Sequence, residues 1–421
     1  PNGLGYISDQ FLIDLVVWYH LAWLAEVERQ HNSVVESLME QAHNFTIDDR
    51  LRLVKLLSEW VNSIIPRYSQ LAIEGRIELS TTPYSHPILP LLLDLNCTRE
   101  AMPEAPLPGA PTYPGGLQRA RWQIAKAQEV FTRVFNRPAK GIWPAEGGVS
   151  SQTLVLLGEA GIKWTASGQG VLANSLAHQP LGSKELHVPY TMSGSPACFF
   201  RDDELSDQIG FVYRHWHADD AVANFIHRIK EIANCEKNTE HRIVSIILDG
   251  ENAWEYYPHN GVYFLSALYQ ALVKEPQINL TTFDEYLNTV PQPQATLNRL
   301  SAGSWVYGNF ATWIGDKDKN RAWDMLCDAK TAFDTACASG KLSPKEIADA
   351  EQQLAYCEAS DWFWWLGDHN PEVSVAVFER LFRLHLSALY VKIKAHAPDY
   401  LSRSFAKGVA QGKVETMRPS K

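Results

Sequence analysis

Along the chain the apolar positions change their spacing several times, and the changes mark its elements. From Phe11 to about Arg29, and again from Ile47 to about Arg67, they fall at helical spacing, which predicts two helices, the second ending near Pro66. Ile73 to Ser80 reads as a strand, with Pro83 to Pro90 as the loop leaving it. Residues 102–116 carry five prolines and three glycines, which predicts a rigid, irregular connection of the kind that commonly borders a cleft. Leu117 to Asn136 follows as a helix stopped before Pro138; then come a short apolar entry at Lys140 to Trp143, a helix from Ser151 to Ala160 and a strand from Ile162 to Ser167. Gly168 to Asp207 is polar and glycine-rich and reads as irregular. Ile209 to Trp216 reads as a strand with Ala218 to Ala233 as its helix, and Arg242 to Leu248 as a strand followed by the helix Val262 to Lys274. Such alternation is the mark of a mostly parallel sheet or barrel. Beyond about Leu300 the pattern turns helical, over Lys319 to Ala338, Ser343 to Glu358 and Pro371 to Ala395. Ser343-Pro344-Lys345-Glu346 is a capping box with Pro at the first helical position, which fixes that start. The expected fold class is therefore α/β, with a barrel-like domain over residues 1–300 and a helical domain over residues 301–421.

Composition narrows this picture. A chain of 421 residues can bury a large core, and its 45% hydrophobic content is that of a globular protein. No stretch approaches the roughly 18 consecutive apolar residues a membrane span requires, so no membrane partner is expected. A net charge of -10 argues against nucleic acid, whose phosphates need a concentrated basic surface, and favours a neutral ligand. The six cysteines, Cys97, Cys198, Cys235, Cys327, Cys337 and Cys357, show neither paired spacing nor a zinc pattern, which points to a reducing compartment and a cytoplasmic location. The 14 tryptophans are the unusual feature, since several sit beside acids or glycines, where they serve either as stacking platforms or as core.

Chemistry concentrates in two stretches. Arg242-Ile-Val-Ser-Ile-Ile-Leu-Asp249-Gly-Glu251-Asn-Ala-Trp254 passes from a continuous apolar run into acids, an amide and aromatics. Such a run reads as a strand buried on both faces, and in α/β folds ligands gather at the carboxyl ends of such strands. Lys140-Gly-Ile-Trp143-Pro144-Ala-Glu146-Gly-Gly repeats the pattern on a shorter entry. An Asp before Gly is also an ordinary turn residue, and a lone loop Glu is ordinarily solvated. Carboxylates at two strand ends, each beside a Trp, nevertheless point to sugar chemistry: one acid protonates a leaving oxygen while the other attacks the sugar or activates water. His215-Trp216-His217 would put two imidazoles on one side of a strand, a metal-binding spacing. With no Cys pair and no HExxH beside it, the expectation is no metal and no cofactor, with His215 instead touching substrate.

These stretches, with Gly75-Arg-Ile-Glu78, Pro83-Tyr84-Ser-His86-Pro87-Ile-Leu-Pro90 and Gly303-Ser304-Trp305, resemble glycoside hydrolase family 57, the α-amylase and amylopullulanase group, from about residue 60 to about residue 375. Trp-Pro-Ala-Glu is closer to the amylopullulanase-like branch than to the glucanotransferase branch. The resemblance implies a distorted (β/α)7 barrel-like catalytic domain followed by a helical bundle that completes the cleft. It implies a retaining hydrolase of α-glucans, of the starch and maltooligosaccharide type, with Glu146 as nucleophile and Asp249 as general acid/base. The two carboxyls are then expected roughly 5–5.5 Å apart, Asp249 carrying the raised pKa. His86, Trp143, Arg201, His215, Glu251, Trp254, Trp305 and Trp364 are the expected sugar contacts, Trp364 as part of the dense aromatic run Asp361 to His369. Family members usually carry His-Gln-Pro on a first strand. The only such tripeptide here, His178-Gln179-Pro180, falls in a predicted mid-chain loop, so that strand is expected upstream of Pro1. Three rival readings stand beside this one: a 4-α-glucanotransferase or branching activity on the same scaffold, a noncatalytic α-glucan-binding protein, and a zinc-dependent deacetylase or mannosidase using His215 and His217.

Overall fold

The computed structural model describes residues 7–176, 181–234, 242–290 and 295–410. Its sheet is built from β1 (Gly141–Ile142), β2 (Trp164–Ser167), β3 (Tyr190–Thr191), β4 (Ala197–Phe200) and β5 (Ala295–Thr296). β1, β2 and β4 run parallel in chain order, β3 lies antiparallel to β4, and β5 pairs parallel with β3. Single parallel bridges, Thr81 to Ile142 and Arg201 to Ser245, attach one further extended segment beyond β1 and another at the carboxyl end of β4. Every residue of β2 and β4 is buried, as expected of a parallel sheet covered on both faces. The period of two sorts their side chains. Ala197 and Phe199 pack with Trp164 and Tyr286 on one face, while Cys198 and Phe200 pack with Val171 and Leu172 on the other.

The chain divides into two compact units. The larger, Leu79–Asp207 with Ile232–Ile247 and Thr281–Lys421, holds the sheet. Its main core joins Leu91, Leu92 and Ile142 near the sheet to Trp323, Leu354 and Phe382 of the long carboxyl-terminal helices, and also includes Trp313 and Phe363. Those helices, Lys317–Ala338, Pro344–Cys357 and Glu372–Lys392, are close to the predicted spans, and both halves of the Ser343/Glu346 capping box are formed. The smaller unit comprises Pro1–Glu78, Gln208–Glu231 and Leu248–Leu280. In it Val17, Leu21, Val35, Leu38, Phe45 and Leu53 form a core among the helices Asp9–Ala22, Ser33–Gln41 and Ile47–Ile73. Among the described residues no helix is long and apolar enough to cross a membrane. The described cysteines are all free thiols, and Cys235 and His178-Gln179-Pro180 lie outside the described residues.

The structure corrects several elements read from the pattern. The helix from Ile47 does not stop at Pro66 but runs on to Ile73. Pro66 cannot bond the carbonyl of Asn62, but both residues are exposed, so that oxygen is open to solvent and the helix can continue. The helix ends instead at Gly75, whose φ of 70° lets Gly75 N–H reach the carbonyl of Ala72 and Arg76 N–H that of Leu71, so no strand begins at Ile73. The first predicted helix breaks at Trp23 into Asp9–Ala22 and Glu26–His31. Ile209 to Trp216 is not a strand but a π turn over Gln208–Val212 followed by a 3-10 turn over Tyr213–His215. The Tyr257 hydroxyl takes the Ile209 carbonyl at 2.6 Å, so a side chain replaces a ladder partner. Arg242 to Leu248 is extended but meets β4 only through the Ser245 bridge, and of its residues only Ile243 and Ser245 are buried. Conversely the supposedly irregular Gly168 to Asp207 contains β3, β4 and the short helices Gln169–Ser175 and Asp203–Asp207.

Candidate active site

Because β1, β2 and β4 are parallel, their carboxyl ends lie along one edge of the sheet, where Glu146, Ser167 and Arg201 follow or end the strands. β1 leads into Glu146, β2 ends at Ser167, and β4 leads directly into Arg201. Glu146 is half-buried in a tight turn with φ 56° and ψ 28°, the left-handed region, and Gly147 follows at φ 60°. A Cβ on Gly147 would stand 2.9 Å from the Trp143 ring, so the sequence needs glycine there. Ser167 Oγ donates to the Gly147 carbonyl at 2.6 Å and fixes the turn from below.

The segment around Gly303 closes beside this turn. Val149 and Gly303 exchange both backbone hydrogen bonds, at 2.9 and 3.0 Å, and Trp305 N–H donates to the Glu146 carbonyl at 3.1 Å. The Trp305 indole Nε1 then donates to Glu146 Oε2 at 3.0 Å, which orients the carboxylate. Trp143 meets the Trp305 ring edge-on, with centroids 5.2 Å apart. The Arg201 guanidinium lies 5.6 Å from the Trp305 ring centroid. Arg201 is itself buried and anchored: Nε donates to the Ile247 carbonyl at 2.8 Å, and the guanidinium pairs with Asp203 at 3.0 Å and Asp207 at 2.8 Å. Burial outweighs that pairing at Asp203 and pushes its carboxyl up to about 6.

In this unit, therefore, Glu146, Trp143, Trp305 and Arg201 form one continuous set of contacts. His86 lies half-buried in a left-handed turn, φ 60°, with Nδ1 2.8 Å from Ser360 Oγ. Trp364 is half-buried against Trp313, with ring centroids 6.0 Å apart. Sequence reading missed the buried His187, whose Nε2 lies 2.9 Å from Asp202 Oδ2, and the Asp203 and Asp207 anchors. The signal was present in Arg201-Asp202-Asp203, a charged triplet directly after four buried apolar residues, which is where a buried strand ends.

In the smaller unit, Asp249 is half-buried and accepts Asn252 Nδ2 at 3.0 Å. Glu251 is exposed. Trp254 is half-buried against Tyr257 and Phe264, with centroids at 5.4 and 6.5 Å. His215 is exposed in its 3-10 turn, where Arg214 Nε donates to its Nε2 at 3.2 Å, and His217 stands 3.8 Å from Asp219. The expected placement of both imidazoles on one face of a strand is thus overturned with the strand itself. Among the described residues no group of three His, Cys, Asp or Glu side chains is arranged to hold a metal.

A mostly parallel β/α sheet with a tryptophan-flanked acid at its carboxyl edge, followed by a helical region, is a barrel-type α/β architecture. Residues 18–298 match the family model described as glycosyl hydrolase family 57, and the chain belongs to that family. It is thus a glycoside hydrolase by family, of the distorted (β/α)7-barrel class, in a family characterised by retention. Its fold is similar to that of a branching enzyme from Thermococcus kodakaraensis crystallised with glucose, at TM-score 0.63 and 15% identity, over 90% of this chain and 77% of that one. It is also similar to the α-amylase AmyC of Thermotoga maritima, at TM-score 0.60 and 14% identity, over 92% and 80%. A 4-α-glucanotransferase from Thermococcus litoralis matches at TM-score 0.53 and 16% identity, over 81% and 52%.

Proposed function

We propose that this chain acts on α-glucans as a retaining hydrolase of the α-amylase and amylopullulanase type. Residues 1–300 supply the barrel-like catalytic part and residues 301–421 the helical part, which brings sugar-binding aromatics. Glu146 attacks the anomeric carbon, and Asp249 protonates the leaving oxygen and then activates water against the glycosyl-enzyme. His86, Trp143, Arg201, Trp305 and Trp364, with His215, Glu251 and Trp254, bind sugar rings and hydroxyls. One observation carries the reading: Glu146 sits on a left-handed turn at the end of a parallel strand with an indole N–H on its carboxylate. A left-handed glutamate is strained, and such strain persists where the surroundings over-determine the residue, commonly at active sites. The free thiols support a cytoplasmic location.

A second reading, glycosyl transfer or branching, is favoured by the likeness in fold to a branching enzyme and a 4-α-glucanotransferase. Incubation with maltooligosaccharides and with pullulan, with products resolved over time, tests both. Shortened chains from the outset support hydrolysis. Products longer than the substrate support transfer, and no product with either substrate overturns both in favour of a noncatalytic glucan-binding protein.

A further inference from the structure

We propose that Glu358 is a positioning residue for His86, acting through two arms of a buried hydrogen-bond network. The inference rests on the reading of His86 as a sugar contact. Glu358 is 1% exposed, and its carboxylate is filled from several sides. Oε1 accepts the Tyr113 hydroxyl at 2.6 Å and Arg119 Nε at 2.7 Å; Oε2 accepts Arg119 Nη2 at 3.0 Å and Gln123 Nε2 at 2.6 Å. A carboxylate gripped in this way has one orientation, and whatever it touches inherits that order.

The first arm leaves through Gln123. Its Nε2 also reaches Ser85 Oγ at 2.8 Å, its Oε1 accepts Ser85 N–H at 3.0 Å, and its carbonyl accepts Tyr84 N–H at 3.2 Å. The second arm leaves along the chain, two residues past Glu358. Ser360 N–H donates to the His86 carbonyl at 3.0 Å, and Ser360 Oγ lies 2.8 Å from His86 Nδ1. The arms thus hold the two residues before His86, its carbonyl and one ring nitrogen. That nitrogen's bond sets the rotation and tautomer of the imidazole and hence what Nε2 presents. The left-handed φ of His86 is a conformation that needs such bracing. A buried ion pair is commonly no more stabilising than apolar packing of the same volume, so stability alone does not account for Arg119 and Glu358.

The test uses the full chain with 15N-labelled histidine, the His86 ring signals being assigned by their loss in His86→Ala. Glu358→Gln and Ser360→Ala are expected to shift those signals and change the tautomer. Each is also expected to lower kcat/KM on maltoheptaose roughly 10- to 100-fold, the scale of a misplaced contact group, with no further loss in the His86→Ala background. Gln123→Met cuts the first arm without leaving the guanidinium of Arg119 unpaired, and serves where Glu358→Gln fails to fold. Unchanged His86 signals in these variants, or losses that add to that of His86→Ala, overturn the proposal. If the wild-type chain turns over no α-glucan, the functional reading fails, and the ring signals alone decide whether Glu358 sets the geometry of His86.

Discussion

At the scale of single residues, the proposed chemistry depends on how Glu146 is aimed. Its backbone is bent into the left-handed region, and Trp305 holds one carboxylate oxygen through Nε1. Glu146→Gln keeps the shape and an oxygen for the indole but loses the proposed nucleophile. We expect turnover on maltooligosaccharides to fall by several orders of magnitude with an unchanged melting temperature. Near wild-type activity in the folded variant would remove Glu146 from the mechanism. For Asp249→Asn, a substrate with a good leaving group should react better than starch, because it needs little proton donation, and azide should rescue turnover as a glycosyl azide. Equal loss on both substrates with no azide effect means that Asp249 is not the acid/base. Asp203 makes a different kind of prediction. Its folded pKa, about 6, lies above the ordinary value of 3.8, so the folded state favours the protonated form. The resulting stability is full below about pH 4 and is lost as pH rises through about 6, a change on the order of 3 kcal/mol. Relative to Asp203→Asn, the wild type should therefore gain melting temperature on acidification from pH 7 to pH 4.5. Parallel melting curves for the two proteins would show that this site has no such linkage.

At the scale of elements, the aromatic helix Asp361–Trp365 separates what its sequence left merged. Phe363 stacks on Trp323 with centroids 4.4 Å apart and is buried, so it is core, whereas Trp364 and Trp365 are half-buried. Trp365 also stacks on Phe378 at 4.8 Å. Phe363→Ala should cost about 3–5 kcal/mol of stability and depress every activity alike. Trp364→Ala should weaken activity on long glucans more than on a short chromogenic substrate, by about 1–2 kcal/mol, with a modest change in melting temperature. Measuring melting temperature beside the long-to-short activity ratio decides the matter, and a collapse of the first without movement in the second removes Trp364 from the substrate wall. Elements with strong local signals were legible from the chain: the capped helix at Ser343, the helix stopped before Pro138 and the entry to Glu146. Elements whose partners are remote were not. Ala197 to Phe200 is too short to show a period, yet it is the strand on which the sheet turns, because β2 and β3 pair with it and the Ser245 segment bridges to Arg201 directly after it.

At the scale of the whole molecule, one core in the larger unit includes residues from Ile88 to Ile162 and from Ala302 to Ala406. Unfolding of that unit should accordingly be a single cooperative step, and a chain cut near residue 300 should expose Leu91, Leu92 and Ile142 and aggregate. Limited proteolysis checks this: a protected, soluble fragment ending near residue 300 would show that the helical region is dispensable to the core. By itself the sequence determined the α/β class, the long carboxyl-terminal helices with the capped start at Ser343, and the placing of Glu146 and Asp249 after apolar runs, because periodicity, caps and breakers act within a few neighbouring residues. Only the tertiary structure decided that Trp305 grips Glu146 across 159 positions of chain. Only it showed that Arg201 is anchored by Ile247, Asp203 and Asp207, that Gln123 bridges Glu358 to Ser85, and that Ile209 to Trp216 abandons its strand-like alternation. Those outcomes depend on which distant group satisfies a buried donor, acceptor or ring, and local patterning carries no record of that choice.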